Sequence, residues 1–245
     1  SVNIQMPRFY LADALQPGQN ISLPENVIRH LQVLRVREGE EITLFNGNGH
    51  SYPTRLLSLA KRQAVAEVLS EQTVDNESPL AISLIQAVSS GERMDFTLQK
   101  SVEMGVTEIF PVTSARSIVK LSGERAEKRQ ERWQEIVIAA CEQCGRNRIP
   151  TVHPLLPLSQ RLQQLPQSDV RLLMGLHHPT SLKAIQPAPQ RITLMIGPEG
   201  GWSPEEEAAA FQTGFQSILL GKRVLRTETA ALAAIAAMQT LWGDF

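Results

Sequence analysis

Between about residue 42 and residue 69, apolar and polar residues alternate in three short segments, EITLF, YPTRLLSL and AVAEVLS. The turn signals Asn46-Gly47-Asn48-Gly49 and Lys61-Arg62-Gln63 separate them, a pattern that predicts a small antiparallel β domain. The polar run Thr73-Val74-Asp75-Asn76-Glu77-Ser78-Pro79 ends in proline and reads as a linker. Beyond it the period changes. ISLIQAV (82–88) precedes a helical pattern near 93–104, then TEIFPV (107–112) and a long helix over about 124–144. RLLMGL (171–176), ITLMIG (192–197), a helix near 204–213, SILLG (217–221) and a last helix from about 228 complete the chain. Strands alternating with helices predict a mostly parallel sheet with helices on both faces. The expected domains are therefore 1–74 and 75–245.

Composition narrows the class without naming a function. A chain of 245 residues, 42% of them apolar, suffices for one large domain or two unequal ones. No stretch of about 18 apolar residues is present to span a membrane. The first residues, SVNIQMPRFY, lack the apolar core of a signal peptide, and two cysteines make no disulfide framework. A cytoplasmic protein is expected. With 24 Lys and Arg against 25 Asp and Glu, the net charge is −1. Any contact with RNA must then come from local clusters of Lys and Arg, because phosphate binding needs them.

Three loops follow strand ends in the second half: Leu176-His177-His178-Pro179, Gly197-Pro198-Glu199-Gly200-Gly201, and Gly221 through Thr229. In open α/β sheets ligands bind outside the carboxyl ends of the strands, so these loops are expected to line one site. Glycines there let backbone approach a flat ligand without a Cβ clash. Ser203-Pro204-Glu205-Glu206 has the pattern of a capping box, which starts a helix just after the glycine loop. Neither G-x-G-x-x-G nor G-x-x-x-x-G-K-[ST] is present, so no nucleotide fingerprint is met. GPEGG alone is a tight turn; beside two similar loops it reads as part of a site.

GPEGG and LGKRVLRTETA (220–230) resemble the cofactor loops of the ribosomal RNA uridine-N3 methyltransferase family, members of the knotted SPOUT class. The resemblance spans the chain. PRFY (7–10) and HLQVLRV (30–36) resemble the N-terminal PUA-like RNA-binding barrel of that family, and SSGERMDFTLQKSVEMGV (89–106) and CEQCGRNRIP (141–150) its central segments. It implies an α/β fold whose C-terminal SPOUT-type parallel sheet carries a trefoil knot, which connectivity rules would otherwise disfavour. It implies S-adenosyl-L-methionine held by Leu176, Gly197, Glu199, Gly200, Leu220, Gly221, Leu225 and Thr229, with His177 a further candidate. It also implies a homodimer acting on 16S ribosomal RNA, free or in the assembled small ribosomal subunit, without a metal.

These residues suit the implied reaction. Methyl transfer from a sulfonium has a neutral leaving group, so alignment of donor and acceptor does much of the work. The uracil N3 must lose a proton, which calls for a base, and the imide anion that forms calls for a cation. Arg226 is the candidate for the cation. Glu228 and Glu199 are both candidates for the base, although Glu228 also suits a helix N-terminus behind a Thr227 cap.

Other features read more plainly. Cys141-x-x-Cys144 ends a helix, with Gly145 as its expected cap, whereas reactive CxxC pairs sit at helix N-termini. No second pair completes a zinc site. The alternating charges of 124–132 suit a solvated helix face. Arg8, Arg35, Arg37, Arg146 and Arg148 are the candidate RNA contacts. The last helix, rich in alanine, suits close packing on more than one side. Two alternatives remain open: a knotted transfer RNA ribose 2′-O-methyltransferase, and a non-catalytic RNA-binding protein.

Overall fold

The three alternating segments become one antiparallel ladder. In the computed structural model, which describes residues 6–117, 119–175 and 177–245, they are β3 (Glu41–Phe45), β4 (His50–Leu59) and β5 (Ala64–Val68). Ile42 and Leu44 of β3, and Ala64, Ala66 and Val68 of β5, turn to the core in period two. The turn after β3 needs its glycines, since Gly47 and Gly49 have φ of 89° and 93°. Three further strands, β1 (Arg8–Tyr10), β2 (Asn20–Ser22) and β6 (Gln72–Thr73), complete the sheet in the order β1-β3-β4-β5-β2, with β6 on β4. Helix α1 (Glu25–Val33) was not legible in the sequence; it buries Val27, Ile28 and Leu31 against the ladder.

This unit comprises Ser1–Glu77 together with Cys141–Ile149. The second segment was expected in the other domain. Its place follows from hydrogen bonds: Gly49 N–H donates to Asn147 O at 3.1 Å, Tyr10 N–H to Glu142 Oε2 at 3.1 Å, and Asn76 Nδ2 to Gly145 O at 2.8 Å.

The other unit, Ser78–Ala140 with Pro150–Phe245, holds a parallel sheet. Its strands are β7 (Ala81–Ala87), β8 (Glu108–Thr113), β9 (Thr151–Val152), β10 (Leu156–Pro157), β11 (Val170–Met174), β12 (Arg191–Ile196) and β13 (Phe215–Ile218). They lie in the order β10-β8-β7-β12-β11-β13, with β9 on β8. The central strands β7 and β12 are buried along nearly their whole length, as strands covered on both faces must be. The helices are α2 (Gly91–Glu103), α3 (Gly123–Cys144, whose last turn belongs to the first unit), α4 (Leu158–Arg161), α5 (Pro204–Gln212) and α6 (Thr227–Trp242). Trp133, Val137, Ala140 and Cys141 form the buried stripe of α3, and its charged first half is largely exposed.

Helix α6 buries Thr227, Ala230, Ala231, Ala234, Ile235, Met238 and Gln239, a stripe at i, i+3, i+4 spacing. Its far end is pinned by Gln239, which is fully buried. Gln239 Nε2 donates to Met104 O at 2.8 Å, and Gln239 Oε1 accepts from Ser78 Oγ at 2.7 Å. No helix among the described residues is long and apolar enough to cross a membrane.

Candidate active site

All strands of the larger sheet are parallel, so their carboxyl ends lie along one edge. The loops after β7, β8, β12 and β13 gather there. Residues 219–226 leave β13 at the sheet margin, and the next residue bonds to groups just past β12 and on β7. Thr227 Oγ1 donates to the carbonyl of Gly197 at 2.7 Å and accepts from Gln86 Nε2 at 3.3 Å. The segment 219–226 is therefore a strap across the end of β11. The expected Thr227 cap is corrected by this geometry: Arg226 is the N-cap residue, and Thr227, the first residue of α6, spends its hydroxyl on Gly197.

Glu199 is anchored as well as placed. Its Oε1 accepts from Ser90 N–H at 3.1 Å and pairs with Arg93 Nη1 at 3.4 Å, and its side chain is 16% exposed. Its Oε2 is buried with no partner among the described residues, as are Gln86 Oε1, Ser89 Oγ, Trp202 Nε1 and Glu228 Oε2. Buried polar atoms are almost always hydrogen-bonded, and five of the eleven such orphans among the described residues belong to this edge, an arrangement that suits a ligand completing the bonding. Four of the five are oxygens able to accept hydrogen bonds, two of them carboxylate, which suits a ligand that carries donors or positive charge.

Gly197 is forced by close packing: an added Cβ would lie 3.3 Å from Gly201 C and Trp202 N, both backbone atoms. Gly200 faces a different neighbour from the ligand expected. A Cβ there would meet Arg116 Cβ at 3.3 Å, and Arg116 Nη1 donates to Gly200 O at 3.1 Å and Trp202 O at 3.4 Å. The predicted capping box is present, with Ser203 Oγ accepting from Glu206 N–H at 3.1 Å and Glu206 Oε1 from Ser203 N–H at 2.8 Å.

The other expected site residues differ in exposure. Leu176 lies outside the described residues. His177 is exposed, edge-on to His178. Leu220 and Leu225 are half-buried, Gly221 has φ of 67°, and Thr229 is exposed. Arg226 is exposed and makes no ion pair among the described residues; Glu228 beside it is half-buried. Gln86, Ser89, Arg93 and Arg116 were missed in the sequence. The rule that picked three strand-end loops applies equally to the loops after β7 and β8, and a glutamine in the apolar run ISLIQAV was itself a signal.

Of the expected RNA contacts, Arg35, Arg37 and Arg148 are exposed. Arg146 differs from these. It is 6% exposed, and its Nε and Nη2 bind the two carboxylate oxygens of Glu77 at 2.9 and 2.6 Å. Arg8 is largely committed too, donating to Arg146 O and Asn147 Oδ1 and lying 4.5 Å over the Phe45 ring. No three His, Cys, Asp or Glu side chains among the described residues are grouped to hold a metal. A depression of about 510 Å³ at the opposite, amino ends of the strands, lined by Asp169, Gln186, Gln190 and Gln216, carries none of the orphaned atoms.

Residues 76–239 match an RNA methyltransferase domain and residues 23–69 an RNA methyltransferase PUA domain. The chain is 35% identical to the ribosomal RNA small subunit methyltransferase E of Buchnera aphidicola subsp. Schizaphis graminum, over 98% of each. The same enzyme from Neisseria gonorrhoeae, solved bound to S-adenosyl methionine, is 58% identical with a TM-score of 0.95, covering 98% of this chain and 100% of the other. A Legionella pneumophila structure in complex with bound SAM is 38% identical with a TM-score of 0.93, covering 99% and 100%. With a parallel-sheet methyltransferase domain, a PUA domain and relatives matched along nearly their whole length, the chain belongs to the ribosomal RNA small subunit methyltransferase E family.

Proposed function

We propose that this protein transfers a methyl group from S-adenosylmethionine to N3 of a uridine in 16S ribosomal RNA. The observation that carries the proposal is the set of orphaned acceptors, Gln86 Oε1, Ser89 Oγ, Glu199 Oε2 and Glu228 Oε2, gathered by the loops and helix start at the carboxyl edge of the sheet. They suit a cofactor that carries an ammonium, a sulfonium and hydroxyl donors. When bound, that cofactor supplies an electrophilic methyl group. The backbone of Gly197, Glu199 and Gly200, with Leu176, His177, Leu220, Gly221, Leu225 and Thr229 around it, is the proposed holding surface.

The chain's own residues then handle the acceptor. Uracil N3 loses a proton as its bond to carbon forms. Glu228 or Glu199 accepts that proton, both being carboxylates whose Oε2 is buried without a partner among the described residues. Arg226, exposed and free of ion pairs among the described residues, stabilises the imide anion. The trefoil knot, with α6 as its threaded element, and a homodimer are part of this proposal. So are a cytoplasmic location, a metal-free site and RNA contact through Arg35, Arg37 and Arg148.

Calorimetry and turnover on Arg226→Ala test the assignment of roles. The variant is expected to bind S-adenosylmethionine as the wild type does, while turnover falls by on the order of 10²–10³. Turnover near the wild-type rate would remove Arg226 from the chemistry.

A further inference from the structure

Two arginines, one on a helix and one in a loop, hold adjacent residues of the same glycine loop. Arg93, on the first turn of α2, pairs through Nη1 with Glu199. Arg116, in the loop after β8, donates through Nη1 to the carbonyl of Gly200. Glu199 and Gly200 are consecutive, so their Cα atoms stand about 3.8 Å apart. Arg116 hydrogen-bonds through Nη1 only, and Arg93 meets Glu199 as an ion pair. The Nε–Nη2 edge of each, the fork that matches a phosphate with two parallel hydrogen bonds, has no hydrogen-bond partner among the described residues.

Both side chains reach solvent, Arg93 with 38% of its side chain exposed and Arg116 as an exposed residue. Arg116 makes no ion pair among the described residues, and Glu206 on α5 instead accepts from Ala115 N–H through Oε2 at 3.1 Å and from Ser203 N–H through Oε1. Gly200 also explains itself here. Without a Cβ it lets the stem of Arg116 lie across the loop, at a distance a side chain would crowd. A chain with a net charge of −1 thus carries two forked cations at the rim of its proposed site.

We propose that Arg93 and Arg116 bind the backbone phosphates on either side of the nucleotide that enters the site. The inference rests on the proposed function, which requires one base to leave its neighbours and approach the strand ends. It adds a consequence. A phosphate on the free edge of Arg116 fixes the guanidinium whose Nη1 holds Gly200, so RNA contact stiffens the loop proposed to hold the cofactor.

The test uses the full-length protein, a labelled single-stranded RNA oligonucleotide containing uridine, and Arg93→Gln, Arg116→Gln, their double variant and Arg116→Lys. Binding is measured without cofactor across a series of KCl concentrations. Each lost phosphate contact lowers the steepness of log K against log salt by about 0.7 on single strands. Each Gln variant is expected to show that drop, the double variant about 1.4, and Arg116→Lys the wild-type slope. If the Gln variants change affinity or melting temperature but keep the wild-type slope, the arginines brace the loop and the inference fails. Calorimetry of the wild type with S-adenosylmethionine is independent of this result. A failure to bind there would sink the proposed function while leaving the slopes to decide the phosphate contacts.

Discussion

Thr227 donates its hydroxyl to the carbonyl oxygen of Gly197 over 2.7 Å, joining residues thirty apart in the chain. The same hydroxyl accepts from Gln86, so one side chain ties β7, the end of β12 and the start of α6. Thr227→Val keeps the shape and removes the hydroxyl, leaving the Gly197 carbonyl and the Gln86 amide each short of a bond. A buried group left unpaired costs about 1–3 kcal/mol, and each kcal/mol lowers the melting temperature of a chain this size by roughly 2–4 °C. Thermal melts should show that loss for Thr227→Val and recovery in Thr227→Ser. Equal melting temperatures for the valine variant and the wild type would mean the bond holds nothing together.

Glu108 gives the fold a pH dependence away from the site. Its Oε1 meets His153 Nε2 at 2.9 Å and its Oε2 accepts from Ser83 Oγ at 2.7 Å. The His153 bond, more than the Ser83 bond, holds the carboxyl below its ordinary value, against the opposing effect of burial. A carboxyl depressed in the folded state stabilises the fold above its unfolded pKa, and that stability is lost as pH falls through the folded value. Wild type should therefore exceed Glu108→Gln in urea midpoint at pH 7, and the gap should close below the ordinary carboxylate range. A gap that stays constant on acidification would contradict this.

Cys141 should be chemically silent. Burial pushes its thiol up to about 12, and the side chain is fully enclosed with its Sγ towards Arg148 O. Since the thiolate is the reactive form, a thiol-specific reagent at pH 8 should leave Cys141 unmodified in the native protein. In denaturant it should label both cysteines. Native labelling of Cys141 at the denatured rate would show that the turn of α3 around it opens readily.

Much of this fold was legible in the sequence where one element's own residues decide it. The runs ISLIQAV and ITLMIG gave the central strands because strands buried on both faces need little polar alternation. Ser203 and Glu206 announced their helix because both partners of a capping box lie within four residues. What failed was tertiary. Thr227 resembled a cap because its true partner is thirty residues away, and nothing local reveals that Arg146 is paired with Glu77. Helix α1 escaped because it follows Pro24 without a side-chain cap and buries only three apolar residues. The two-residue strands β9 and β10 are too short to have a period.

The central claim is methyl transfer to uracil N3, and the product nucleoside tests it most directly. Ribosomal RNA or small subunits from a strain lacking this protein would be incubated with the enzyme and S-adenosylmethionine carrying a labelled methyl group. The RNA would then be digested to nucleosides and resolved by mass spectrometry. The expected result is label in 3-methyluridine from 16S RNA, and none when the enzyme is omitted. Label in a 2′-O-methylated nucleoside, or no label on any small-subunit substrate despite cofactor binding, would contradict the account.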